Sequence, residues 1–302
     1  MILRRRLDWR QLVTVLLALA VSLGSASAAD PPPLVLTPVA PGVYAAIGGE
    51  GGNSGVIIGR NGVVVIDSKQ TAASGKQMLE RIAALTSKPV THVILTHSDG
   101  DHVNGLVSFP AGVQIVAHAG TQAEMNAAPA SGRGALQKDR MPSRVVAGRR
   151  EVIDIDGVRF ELLHWAPAHT SGDLIVHLPQ THVVFTGDIV SMARPDPTIH
   201  LGKGGRADGW VETMRGILAL KNVSVFVPGH GDIQDRRALE RRYEATAKKR
   251  DATLAMRSHG KTLDEVLDAQ PDGSGPIVRQ AGFAEPGFVE VVFRELPIPA
   301  VR

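Results

Sequence analysis

Between residues 42 and 67 the chain alternates short apolar runs with glycine-rich turns: Gly42 to Ile47, Ser54 to Gly59 and Gly62 to Asp67. Runs of this length bounded by Gly and Asn predict strands joined by tight turns. From Gln77 to Leu85 the spacing changes, with Met78, Ile82 and Leu85 close to helical periodicity, and His92 to Thr96 returns to a short apolar strand. A further strand is predicted at Val113 to Ala117. Residues 119 to 150 are more polar and contain Pro129, Gly132, Gly134 and Pro142, which predicts a short helix and then a surface excursion. Strands resume at Val152 to Ile155, Val158 to Leu163, Leu174 to Leu178 and His182 to Thr186, followed by a helix over Trp210 to Leu220 and a strand at Ser224 to Val227. A charged helix is predicted from Arg236 to Arg257, and from Lys261 a helical turn or two with an edge strand. Strands followed by helix occur twice, so the pattern predicts an α/β protein of two similar halves with their sheets face to face.

The N-terminus follows a different rule. Arg4, Arg5, Arg6 and Arg10 are followed by the apolar stretch Leu12 to Leu23 and then by Ala26-Ser27-Ala28. This gradient predicts a signal peptide over residues 1–28, cleaved after Ala28 or Ala29, and hence an exported protein, periplasmic or secreted. A permanent anchor needs about 18 or more apolar residues, so no stable membrane span is expected after cleavage. Residues 29–39 read as a linker running into a first strand region, beginning with the stiff Asp30-Pro31-Pro32-Pro33. Residues 40–302 read as one domain with its core at 40–235.

Export alters the meaning of the charge. Residues 1–28 hold four of the 33 Lys and Arg and one of the 30 acids, which leaves 29 of each in the mature chain. The basic character of the whole sequence is therefore largely that of the leader, and no nucleic-acid partner is expected. The chain has no cysteine. Neither disulfides nor thiolate ligands can contribute, and any zinc site must use His and carboxylates.

Such residues are concentrated in one place. Thr96-His97-Ser98-Asp99-Gly100-Asp101-His102 sets two His and two Asp within six residues, directly after an apolar strand. Asp and Gly are ordinary turn residues, but two His flanking two carboxylates are not explained by a solvated turn. Three more segments place a ligand-type residue just past an apolar run: Ala168-His169-Thr170-Ser171-Gly172-Asp173, Phe185-Thr186-Gly187-Asp188 and Val227-Pro228-Gly229-His230-Gly231. Loops at strand ends expose such groups while the sheet holds them in place.

Taken in order, these four segments resemble the metal-binding motifs of the metallo-β-lactamase superfamily, over roughly residues 40 to 235. The resemblance implies an αββα sandwich of two mixed sheets with a dinuclear site along one edge. His97, Asp99 and His169 would hold one metal ion, Asp101, His102 and His230 the other, and Asp188 would bridge them. It also implies hydrolysis of a small-molecule substrate by a hydroxide generated between the ions, with Asp101 as the catalytic residue that orients the nucleophile and takes its proton. The chain departs from the family's His-x-His-x-Asp-His at one point, where Asp99 stands in place of the second His. Asp99, Asp101, Asp188 and a hydroxide then balance two divalent ions, and the extra hard oxygen shifts the expected metal from zinc alone toward manganese or iron as alternatives.

The substrate expected is an ester, thioester, lactone or related molecule. The alternatives are a mono-iron enzyme of oxygen or sulfur chemistry, a β-lactam hydrolase, or a non-catalytic metal-binding module. No basic residue follows Asp188 until Arg194, so weak or absent β-lactam cleavage is expected. Of the 11 histidines, His92, His177 and His182 read as structural. His164 is a candidate for orienting a ligand from behind, and His118 has nothing to select it. His200, Arg194 and Lys203 are placed on a substrate-side loop and read as solvated. Gly48-Gly49-Glu50-Gly51-Gly52-Asn53 lacks the Lys and Ser or Thr of a nucleotide loop, and reads as a hairpin flanking the site.

Overall fold

A computed structural model describes residues 32–128, 140–273, 277–278 and 284–295. The proposed leader and residues 129–139 of the polar excursion lie outside the described residues. No helix among the described residues is long and apolar enough to cross a membrane.

β1 (Leu34–Ala40), β2 (Val43–Gly48), β3 (Ser54–Ile58), β4 (Val63–Ile66), β5 (Val90–Ile94), β6 (Gln114–His118) and β7 (Arg144–Val146) form one sheet in that order. Its first four strands are antiparallel, and from β4 to β7 each pairing is parallel. The second sheet holds β8 (Arg150–Ile155), β9 (Val158–Leu163), β10 (Ile175–Leu178), β11 (Val183–Phe185) and β12 (Val225–Val227). In it only β11 and β12 run parallel.

The two sheets pack face to face. Ile57, Val64, Ile66 and Ile94 from the first meet Phe160, Leu162, Val176 and Phe185 from the second in a shared core. The outer face of the first sheet is covered by α1 (Ala72–Leu85), whose Met78 and Ile82 pack on Val63, Val65 and Val93. A four-residue helix, α2 (Gly100–Val103), and α3 (Ala119–Ala127) follow later on this side of the chain. The outer face of the second sheet is covered by α4 (Ala207–Ala219), α5 (Arg236–Ser258) and, after α6 (Leu263–Ala269), by α7 (Phe288–Arg294). Trp210, Met214, Leu239 and Phe288 from these helices pack against Ile175, Val184 and Phe226. The layers therefore run helix, sheet, sheet, helix, as the motif resemblance implied.

β4 shows why the strands read as plain apolar runs. Val63 and Val65 face the helix layer while Val64 and Ile66 face the other sheet, and all four are buried. With both faces covered no polar alternation is needed, and each such side chain contributes about 1.5–3 kcal/mol by leaving water. α1 begins at Ala72, earlier than its apolar spacing suggested, because Thr71 and Ser74 form a reciprocal cap and Ser74 and Gly75 are buried. The tail also differs from expectation. Its two short strands, β13 (Ile277–Val278) and β14 (Ala284–Glu285), pair with each other and extend neither main sheet.

The mixed topology positions the site. β4, β5 and β6 are mutually parallel, as are β11 and β12, so their C-terminal ends gather on one rim. Asp67 follows β4, His97 follows β5, Asp188 follows β11 and His230 follows β12.

Candidate metal centre

At that rim the seven predicted side chains come together in two linked groups. In one, His230 Nε2 lies 3.1 Å from Asp101 Oδ2, and His102 Nε2 lies 3.7 Å from the same oxygen. In the other, Asp99 Oδ2 lies 3.3 Å from His169 Nε2 and 3.9 Å from His97 Nε2. Asp188 spans both, with Oδ1 3.3 Å from His102 Nε2, and Oδ2 3.4 Å from His230 Nε2 and 3.8 Å from His169 Nε2. Two ligands of one zinc-sized ion sit roughly 3–3.5 Å apart, because each lies about 2.0–2.2 Å from it at near-tetrahedral angles. The four contacts of 3.1–3.4 Å fall in that range, and the other three, at 3.7–3.9 Å, lie just beyond it.

The hydrogen bonds behind the imidazoles fix their direction. His102 Nδ1 donates to Asp67 Oδ2 at 2.8 Å, and His169 Nδ1 donates to the Thr198 carbonyl at 2.8 Å. Thr96 Oγ1 donates to Asp67 Oδ2 at 2.7 Å, leaving its lone pair to accept from His97 Nδ1 at 2.9 Å. With Nδ1 so held, each Nε2 is turned into the site, where that of His169 meets Asp99 Oδ2 at 3.3 Å. Nε2 of His97, Nε2 of His102 and Oδ1 of Asp188 are buried with no hydrogen-bond partner among the described residues. Buried polar atoms are rarely left so, and a divalent cation would satisfy all three. The donor set, histidine nitrogens and carboxylates without thiolate, suits such an ion.

Charge in the cluster also favours a cation. Burial alone would raise the Asp101 carboxyl, but His102 and His230 bring it down to about 2. Burial likewise opposes ionisation of Asp188, and the same two imidazoles hold it well below the usual carboxylate range. In turn, burial disfavours charge on His169 and His230, yet Asp99 and Asp188 push the first up to about 9, and Asp188 and Asp101 do the same to the second.

Two side chains read as solvated from the sequence are brought to Asp99. His200 is buried, with Nε2 3.0 Å from Asp99 Oδ2, and Lys203 Nζ lies 2.7 Å from Asp99 Oδ1. The ammonium offsets the negative charge that Asp99 adds, so the balance counted from the aspartates alone changes by one. Nothing local in Pro197-Thr198-Ile199-His200-Leu201-Gly202-Lys203 announced this role. The short turn Leu201–Lys203 and the bonds His200 N to His169 O, 2.8 Å, and Ser171 N to Lys203 O, 2.8 Å, fold the segment over the site.

Asp67 was also missed. Its carboxylate accepts from Thr96 N, Thr96 Oγ1 and His102 Nδ1, and so ties two metal-facing histidines to the end of β4. The signal was present, since Asp67 ends the apolar run Val63-Val64-Val65-Ile66. His164 does not orient a metal-facing ring as anticipated. Its Nδ1 bonds the Asp173 carbonyl at 2.9 Å and its ring stacks on His118, with centroids 4.0 Å apart. His177 bonds Glu161 at 3.1 Å, away from the site.

The glycine-rich hairpin flanks the centre. Asn53 Nδ2 donates to the carbonyls of Pro228 and Gly231, and Gly52 N donates to Asp101 O at 3.0 Å, so the hairpin holds the loops of His230 and Asp101. A Cβ on Gly52 would overlap Cε1 and Nε2 of His102. Gly52→Ala is therefore expected to displace that ring, lowering turnover and affinity for the second ion at least about tenfold, and to destabilise the fold by about 1–3 kcal/mol. Metal titration beside thermal melting checks this. Unaltered affinity would show that the ring is free to give way.

The sequence profile of the metallo-beta-lactamase superfamily matches residues 47–230, which include every one of these site positions. The chain belongs to the metallo-beta-lactamase superfamily. Among curated proteins, the 2,4-dinitroanisole O-demethylase subunit alpha of Nocardioides sp. (strain JS1661) is 29% identical over 217 residues, 71% of this chain and 63% of that one. The metallo-beta-lactamase type 2 of Bacillus cereus is 25% identical over 58% of this chain and 65% of that one. Among solved structures, the inverting sec-alkylsulfatase of Pseudomonas sp. shares the fold with a TM-score of 0.63 at 19% identity, over 85% of this chain and 47% of that one. The chain thus spans less than two thirds of each of these relatives' length.

Proposed function

We propose that this superfamily member is a metal-dependent hydrolase that cleaves an ester, thioester, lactone or related bond of a small molecule at a two-ion centre. The observation that carries the reading is the pair of donor groups joined by Asp188, with imidazole Nε2 atoms left buried and unbonded where ions would sit. His97, Asp99 and His169 would hold the first ion, Asp101, His102 and His230 the second, and Asp188 would lie between them. Zinc is the first choice of metal, with manganese or iron admitted by the oxygen of Asp99. Bound divalent ions would lower the pKa of a water from about 15.7 toward 7 and polarise the scissile group.

The protein's own contribution is orientation and proton handling. Asp101, ionised and partly open to solvent, can accept a hydrogen bond from the attacking water and fix its direction. Asp67 and Thr198 fix Nδ1 of His102 and His169 and so aim the opposite ring nitrogens at the site, so little reorganisation accompanies the reaction. Lys203 is committed to Asp99 Oδ1 and Ser98 Oγ and is not free to grip a substrate carboxylate, which supports weak or absent β-lactam cleavage. The relatives named above suggest which bonds to test: an aryl methyl ether, a sulfate ester and a lactam. An exported location remains part of the proposal, supported by the basic and apolar leader of residues 4–28.

The test is a substrate panel of lactone, thioester, phosphodiester, sulfate ester, nitroaryl methyl ether and nitrocefin, run with metal-loaded and chelator-treated protein. Chelator-sensitive turnover of at least one ester-type substrate, with nitrocefin slow, is the expected result. Turnover that persists without metal, or strong nitrocefin cleavage, would contradict it.

A further inference from the structure

We infer that His200 is an additional ligand of the first ion, supplying from a separate loop the imidazole that Asp99 does not supply in the 97–102 segment. The inference rests on the proposed metal centre and extends its donor set.

Asp99, His169 and His200 are all buried, and one donor atom from each lies within 4.8 Å of the others. Asp99 Oδ2 is the common neighbour, 3.0 Å from His200 Nε2 and 3.3 Å from His169 Nε2. The imidazoles of His169 and His200 meet edge to face, with centroids 4.5 Å apart. Two histidines and a carboxylate form a donor set typical of divalent transition metals.

Each of the three is anchored through its other polar atom. His169 Nδ1 is held by the Thr198 carbonyl at 2.8 Å, His200 Nδ1 by Glu285 Oε1 at 2.9 Å, and Asp99 Oδ1 by Lys203 Nζ at 2.7 Å. A metal-bound histidine ordinarily donates its second nitrogen to a carboxylate or carbonyl. His200 thus repeats the arrangement already seen at His97, His102 and His169, and its Nε2 approaches the same Asp99 oxygen as that of His169.

A second explanation is available, in which His200 is an imidazolium bridging Glu285 and Asp99 with no metal at all. The geometry points away from it. His200 Nε2 lies 3.0 Å from Asp99 Oδ2 but off the direction of a well-formed hydrogen bond, and this buried nitrogen has no other hydrogen-bond partner among the described residues. Two imidazole nitrogens converging on one carboxylate oxygen are what ligands of a single ion present. Lys203, three residues after His200, balances the carboxylate at Oδ1, while His169 and His200 both approach Oδ2.

The experiment has two arms. In the first, wild type, His200→Ala, His200→Gln and His230→Ala are loaded with cobalt(II), dialysed against a weak chelator, and assayed for metal content and for the visible ligand-field spectrum, with far-UV circular dichroism as the check on folding. Wild type is expected to retain both ions. Both His200 variants are expected to bind the first ion more than about 100-fold more weakly and to keep the second, whereas His230→Ala loses the second. In the second arm, X-ray absorption on the wild-type zinc form needs no substitution. Five imidazoles shared between two ions are expected, against four if His200 does not bind. Two ions retained by the His200 variants with an unchanged spectrum, or four imidazoles in the wild type, overturn the assignment of His200 alone. A wild-type chain that takes up no cobalt or zinc overturns the proposed function as well.

Discussion

Asp188→Ala is expected to lower kcat/KM by at least about 10³-fold and to release at least one ion. Asp188 approaches the Nε2 atoms of histidines in both groups, His102 and His230 on one side and His169 on the other. It is buried, with Oδ1 lacking a hydrogen-bond partner among the described residues, so its removal deletes a donor and opens a void that water can enter. Three imidazoles that faced an anion would then face each other. Loss of transition-state stabilisation of about 4 kcal/mol corresponds to that fold-change. The fold should survive, because the backbone of this loop is held independently by Gly229 N bonding to Gly187 O and Val190 O, both at 2.9 Å. Kinetics on whichever panel substrate is turned over, beside elemental analysis, checks this. Near-wild-type turnover with both ions retained would refute the bridging role.

Asp67→Ala is expected to damage stability and metal binding together, although Asp67 belongs to neither donor group. Its carboxylate accepts three hydrogen bonds at 2.7–2.8 Å, from Thr96 N, Thr96 Oγ1 and His102 Nδ1, in a setting only 2% exposed. Truncation strands these donors, each at a cost of about 1–3 kcal/mol, and the melting temperature should fall by about 6 °C or more. With Nδ1 of His102 no longer fixed, its tautomer and aim are lost, and metal affinity should drop about 10–100-fold. Melting curves of metal-free and metal-loaded protein separate the two effects. An Asp67→Ala chain with unchanged metal affinity would show that His102 is aimed by packing alone.

The unequal legibility of these residues follows from where their signals lie. His97, Asp99, Asp101 and His102 stand out because two imidazoles and two carboxylates in six residues are improbable in a turn. His169, Asp188 and His230 stand out because each follows an apolar strand at a matching place in the chain. The two-layer architecture was readable for a related reason: runs such as Val63 to Ile66 are short, β-branched and bounded by turn residues. The start of α1 was not readable, since Thr71 and Ser74 define it through side-chain caps that apolar spacing ignores. Asp67 is a single carboxylate whose importance depends on the parallel pairing of β4 with β5, which brings Thr96 to it. His200 and Lys203 are further still from local detection. They sit in a proline- and glycine-flanked loop with no preceding apolar strand, and only the folded chain shows them closing on Asp99. The departure at Asp99 was visible, but its compensation was not.

The central claim is that the seven converging side chains hold two divalent ions. Elemental analysis of the purified chain, after zinc loading and dialysis against buffer, tests it most directly. Two ions per chain are expected, with a higher melting temperature that a strong chelator reverses. A chain that retains no ion, and whose melting is indifferent to both zinc and chelator, would contradict it.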